Sequence, residues 1–332
     1  MPGTHFKFSV SSLSCAPANI LRPLNILVPS YATQQTIRRL IHMRHRLRNI
    51  IPVDEFTTSL HAGYMIANPL AFDELQQHQL PISSVDTPDV VSIEAFIKEL
   101  SRNVLAANMK CIKTTIGWQF ASVSNYREYN QKVFAGIDGI NSNDSVHFVR
   151  ASTGSWYKSA LGKRLIDMIA SKRKNRLNLA LAVEIDARHQ TPEEYFQFVY
   201  DLGIKNPEVP VYFDLDVGHI AEARKRHRHK NIEKAEIIVE RLLNNKKYNH
   251  LIGIISLNQY DYIKDETHIS LMKGSIDYVH ILKLLGEAGR AGNLTIEPTI
   301  LAEFSPFEYG EMISPEGIAY FDSLKKSYLQ KH

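Results

Sequence analysis

VYFDLDVGHI, residues 211–220, is the stretch on which fold and chemistry both turn. It is a short apolar run of the kind that forms a buried strand, and the acid Asp216 closes it. His219 follows across a Val217-Gly218 step, so both side chains can lean over one end of a sheet. A carboxylate oxygen and an imidazole nitrogen at that range suit a divalent cation such as zinc or manganese. Standing alone, an Asp-x-x-His pair reads more simply as a helix N-cap followed by a histidine.

Outward from this run, apolar or β-branched segments recur at residues 6–11, 25–29, 56–61, 110–116, 178–184, 251–257 and 293–297. Helical patterns fall near 34–49, 91–108, 158–173, 192–203, 231–245, 275–288 and 315–329. Thr191 ahead of Pro192, Glu193 and Glu194 has the chemistry of a helix start. Strand alternating with helix predicts a parallel sheet. Eight strands in 332 residues favour a closed (β/α)8 TIM barrel over an open sheet, as a single α/β domain spanning residues 1–332. Residues 117–155, rich in Ser, Asn, Gly and Tyr, break the rhythm and are expected to be an insertion after the fourth strand. A glycine-rich phosphate loop is absent.

Composition bounds the rest. At 44% apolar the chain can bury a full core, yet it has no uninterrupted apolar run of about 18 residues, so no membrane span is expected. The two cysteines, Cys15 and Cys111, build no disulfide framework, and a reducing intracellular setting, cytoplasmic or nuclear, is the expectation. The net charge of +4 is modest, but residues 1–53 contain no Asp or Glu while carrying Lys7, Arg22, Arg38, Arg39, Arg44, Arg46 and Arg48. An organelle leader is the alternative reading of that start; strand-like FKFSV and NILVP within it favour a place in the fold.

In a parallel barrel, side chains converge at the C-terminal ends of the strands. Those ends offer His61, Glu184, Asp216 with His219, and Glu297. Just past the seventh strand, ETHISLMKGSIDY adds Glu266 and His268. A lone glutamate there is most simply a solvated or capping carboxylate, and a lone His61 a hydrogen-bonded core histidine. Six potential ligands at successive strand ends, Glu266 left aside, are harder to assign to chance.

The order LAVEIDA, YFDLDVGH, ETHISLMKGSIDY, LTIEP resembles the xylose-isomerase-like barrel superfamily. HAGYMIANP at 61–69 and the Glu-x-His at 266–268 are most similar to the endonuclease IV family of apurinic/apyrimidinic endonucleases. The resemblance implies a three-metal site. In it Glu184 bridges two ions, His61 serves the first, Asp216 and Glu297 bind the second, and His219 and His268 bind the third, with Glu266 where the family has Asp. Glu184 and Glu297 are the catalytic candidates. Thr115, Ser256 and Ser9 stand where the family has histidines, so one or two ions of Zn2+ or Mn2+ are expected rather than three.

After His219 comes IAEARKRHRHK, in which Arg224, Lys225, Arg226, Arg228 and Lys230 could contact phosphates of DNA, with His227 and His229 between them. The plainer reading is a solvated charge run. Tyr31, Trp118, Tyr126 and Tyr129 could stack on a base or fill an abasic gap, or simply pack. The expectation is therefore a divalent-metal-dependent phosphodiesterase of the DNA-repair type with a reduced metal site. The alternatives are a catalytically degenerate barrel kept for binding or assembly, and a metal-dependent sugar isomerase or epimerase. The sugar enzymes take their histidine from the seventh strand, where Ser256 stands.

Overall fold

The computed structural model describes residues 2–12, 14–16, 29–61, 75, 77–87, 148–153, 160–174, 178–227 and 233–330. The strands are β1 (Phe8–Ser11), β2 (Phe56–His61), β3 (Ile82–Thr87), β4 (Phe148–Ser152), β5 (Ala180–Glu184), β6 (Val211–Asp216), β7 (Ile252–Asp261), β8 (Glu266–Ile269) and β9 (Thr299–Glu303). The α-helices are α1 (Pro29–Leu47), α2 (Ala160–Lys174), α3 (Pro192–Lys205), α4 (Val217–Arg226), α5 (Ala235–Leu243), α6 (Tyr278–Arg290), α7 (Tyr309–Met312) and α8 (Pro315–Leu329). Eight strands pair in the order β6-β5-β4-β3-β2-β1-β9-β7, and β6 pairs with β7 to close the circle, every pairing parallel. This is the (β/α)8 barrel. β8 lies outside the ring as an antiparallel hairpin on the end of β7.

Two-residue alternation sorts the strand side chains into two cores. Val149, Leu181, Val183, Phe213, Leu215, Ile255 and Ile300 join the large core beneath the helices. Phe148, Ala180, Ala182, Ile254 and Leu301 form a separate small cluster inside the ring, with Tyr212 and Ile296 against it. On the same inner face, nearer the C-terminal strand ends, come Arg150, Asp214 and Ser256, then Glu184, Asp216, Asn258 and Glu303. The barrel interior thus has an apolar floor and a charged upper half. The charged half positions the site.

Most of the expected elements appear within a few residues. Thr191 makes the anticipated capping box: its hydroxyl accepts from the Glu194 N–H while the Glu194 carboxylate accepts from the Thr191 N–H. Three strand expectations need correction. Residues 293–297 form no strand; the last barrel strand is 299–303. Residues 148–152, expected inside the insertion, are the fourth barrel strand, so the long segment between 87 and 148 precedes that strand instead of following it. Residues 82–87, not anticipated, are the third strand. The expected strand at 110–116 and helix at 91–108 lie outside the described residues, as does 25–29 apart from Pro29, which opens α1. No helix among the described residues is long and apolar enough to cross a membrane.

Candidate metal centre

Asp216 ends β6, and its carboxylate accepts the backbone N–H of His219 at 2.7 Å, capping α4. The simple N-cap reading is therefore correct, and the cap also sets the ligand geometry. It places the His219 ring on the first turn of α4, with Nδ1 2.7 Å from Glu184 Oε1 and 3.7 Å from Asp216 Oδ2. The Asn258 side-chain amide donates to both Asp216 oxygens, at 3.2 and 3.0 Å. Asn258 is held in turn by the Tyr278 hydroxyl, which donates to its backbone carbonyl at 2.8 Å. Gly218 makes this approach possible: a Cβ there would lie 2.0 Å from that same carbonyl oxygen. Gly218→Ala is expected to destabilise the fold on the order of 1–3 kcal/mol through forced displacement of α4 from β7. Denaturant unfolding measures it, and an unchanged midpoint would contradict the tight seating of α4.

Among the described residues, Glu184, Asp216 and His219 place one ligand atom each within 4.8 Å of one another. Ligands about 2 Å from a shared ion span nearly that distance, so small side-chain rotations would let the trio meet one cation. Glu184 and His219 keep 17% and 23% of their side-chain surface open, which leaves solvent a way in. The His268 ring stands edge-on to His219 with centroids 5.5 Å apart. His268 holds a left-handed backbone, φ 56°, stabilised by its N–H donating to Asn258 Oδ1 at 2.9 Å. Such a conformation costs a non-glycine residue free energy and is concentrated at functional sites.

Below this group lies a residue absent from the expectations. Arg150, on β4 and only 1% exposed, sends its guanidinium across the barrel. Nε donates to Asp214, Nη1 to Glu303 Oε1 at 2.8 Å, and Nη2 lies 3.4 Å from Ser256 Oγ and 3.6 Å from Glu184 Oε2. Three buried carboxylates, Asp214, Asp216 and Glu303, and the half-buried Glu184 thus face one permanent cation and one protonatable histidine. Burial pushes Glu184 up to about 8 against the pull of His219 and Arg150, and Asp216 up to about 6 against His219. Burial favours neutral His219, but the charge of Asp216 and the hydrogen bond and charge of Glu184 lift it to about 10. Burial, with the charge of His219, brings His268 down to about 4, so it is neutral, with Nδ1 3.2 Å from Thr267 Oγ1. Burial raises Glu303 too, but Arg150 outweighs it and holds that carboxyl below its usual range.

Glu184, Asp216, His219 and His268 therefore meet as expected, but other candidates do not join them. Glu297 sits at the opposite, N-terminal end of the barrel, accepting from the Gly3 N–H at 2.9 Å and from the Tyr328 hydroxyl. Glu303 fills the last-strand position instead. Glu266 is exposed at the start of β8, in the hairpin beyond the ring. His61 ends β2 at the correct rim, while its side chain lies outside the described residues. The basic run is engaged internally: Arg224 pairs with Glu193 and Glu233, Lys225 with Asp265, and Arg226 with Glu222. Arg228 and Lys230 lie outside the described residues, as do Thr115, Trp118, Tyr126, Tyr129 and the side chain of Tyr31. Ser256 donates to Asp214 at 2.7 Å, and Ser9 bonds Ser83 across the ring at 2.8 Å.

No family model matches the chain, and no curated protein matches it.

The missed residues carried a usable signal. Asp214 lies two before Asp216 in one strand, and so on the same face. Asn258 stands in the same relation to Ser256. Glu303 ends TILAE, a second strand-like window six residues after the one chosen.

Proposed function

We propose that the protein is a divalent-metal-dependent phosphodiesterase acting on DNA, similar to endonuclease IV in its barrel and reduced to one exchangeable ion, Zn2+ or Mn2+. The observation that carries this reading is the convergence of Glu184, Asp216 and His219 at the C-terminal mouth of the barrel, above an excess of buried acids. A bound divalent ion would supply charge neutralisation for a phosphodiester and acidify a water at neutral pH. The chain's own residues hold the donor atoms in place: Asn258 and the α4 N-terminus orient Asp216, and His219 orients Glu184. His268 adds a neutral imidazole ring beside them. DNA as the substrate rests on the sequence resemblance. With Arg224, Lys225 and Arg226 paired to carboxylates, phosphate contact from that side would fall to Arg228 and Lys230.

The test is metal analysis of the purified protein, followed by an abasic-site duplex incubated with Mn2+ or Zn2+, with and without chelator. Uptake of an equivalent of metal and chelator-sensitive strand cleavage are expected. No metal uptake would sink the proposal. It would favour a barrel kept for binding, a reading that the internal neutralisation of the acids by Arg150 supports.

Protons compete with the ion for the same lone pairs. Glu184 and His219 are both lifted, so the pair holds a proton at neutral pH in the metal-free state. Metal affinity is therefore expected to rise with pH through about 8, set by Glu184, and on to about 10, set by His219. Calorimetric titration in buffers of different ionisation enthalpy reads the released protons; a pH-independent affinity would contradict the assigned ligands.

A further inference from the structure

Glu184 faces two different cations. Its Oε1 takes the His219 imidazole at 2.7 Å, and its Oε2 lies 3.6 Å from Arg150 Nη2. The other nitrogens of the guanidinium reach Asp214 and Glu303. One planar group thus joins three carboxylates from three strands, β5, β6 and β9, which is the task a bridging ion performs in a multinuclear site. Arginine suits it: the guanidinium is always charged, presents a rigid fork that matches carboxylates, and cannot be removed by a chelator.

We infer that the Arg150 guanidinium is a built-in counter-cation that takes the place of a second divalent ion among Glu184, Asp214 and Glu303, limits the rim to one exchangeable ion, and turns Glu184 toward His219. The inference deepens the metal-centre reading and rests on it. Arg150 is a positioning residue in this account, acting through Glu184. Without the guanidinium, three carboxylates are left converging with no cation between them, an all-oxygen set suited to a hard ion such as Mn2+. Ser256 Oγ, 2.7 Å from Asp214 Oδ1, completes the wall of that space.

The experiment uses the full chain, stripped with chelator, titrated with Mn2+, and read by elemental analysis and electron paramagnetic resonance. The wild type is expected to take one ion with the spectrum of an isolated Mn2+. Arg150→Lys, which keeps the charge, is expected to do the same. Arg150→Ala is expected to take two, with the broadened spectrum of a spin-coupled pair, and the charge-balanced Arg150→Ala/Asp214→Asn to return to one. One ion in both wild type and Arg150→Ala overturns the inference and leaves the metal centre standing. An Arg150→Ala chain that stays unfolded with Mn2+ supplied also overturns it, because the ion is expected to replace the guanidinium. If neither protein takes up metal, both readings fail. Uptake by Arg150→Ala alone retains the counter-cation and rejects the native metal centre.

Discussion

Glu184→Gln is expected to weaken uptake of Zn2+ or Mn2+ by more than the roughly 10–100-fold that losing a mere supporting partner costs. Chelator-sensitive cleavage should vanish with it. Glutamine keeps the shape of the side chain, but its amide lacks the charge that faces both His219 and Arg150. Stability should move the other way or not at all. Glu184 is one of four acids set against Arg150 and His219, and its partial burial already pushes its carboxyl up to about 8, so the neutral amide imitates the form the fold prefers. Binding and folding thus separate in one variant, measured by calorimetry and by thermal unfolding. A Glu184→Gln protein that binds metal normally would remove Glu184 from the site, whatever its melting behaviour.

Arg150→Ala, examined in chelator, is expected to lose about 3–5 kcal/mol of folding stability, the usual consequence of breaking a buried ion pair on one side only. Asp214 and Glu303 would be left in the barrel with no counterion, and Asp214 is already raised by burial in the presence of Arg150. Replacing the group together, as Arg150→Met with Asp214→Asn and Glu303→Gln, should cost much less, because no uncompensated charge remains. Denaturant midpoints compare the two. If Arg150→Ala alone is as stable as the wild type in chelator, the guanidinium does not hold the acids, and the electrostatic account of the barrel interior is wrong.

The legible parts of the chain were those where burial alone decides the residue type. VYFDLD ends at Asp216 in the sequence reading and in the structure, and PEGIAYFDSLKKSYL is a helix over the same residues in both. The upper interior of the barrel follows a different rule. There the inward face is polar, so ISSVDT on β3 and FVRAS on β4 carry serines and an arginine where a strand search looks for apolar residues. NLTIEPTILAE offers two strand-like windows, each ending in glutamate. Pro298 between them cannot donate to a ladder, and the Ile300 N–H, bonded to the Lys7 carbonyl at 2.8 Å, marks the second as the strand. Choosing the first put Glu297 in the site, whereas it ties the chain start to the end of α8. In the basic run, Arg224 and Lys225 meet acidic partners, Glu193, Glu233 and Asp265, supplied by neighbouring segments that a linear reading does not bring near.

The apolar floor made by Phe148, Ala180, Ile254 and Leu301 has a consequence for exchange. Among the described residues it closes the lower end of the barrel interior, and the exposed edges of Glu184 and His219 stand at the other end. Whatever reaches the acids would then come and go past those two residues. A large ligand laid across the opening would therefore trap any ion already inside, and release would run in a fixed order, ligand first and ion second.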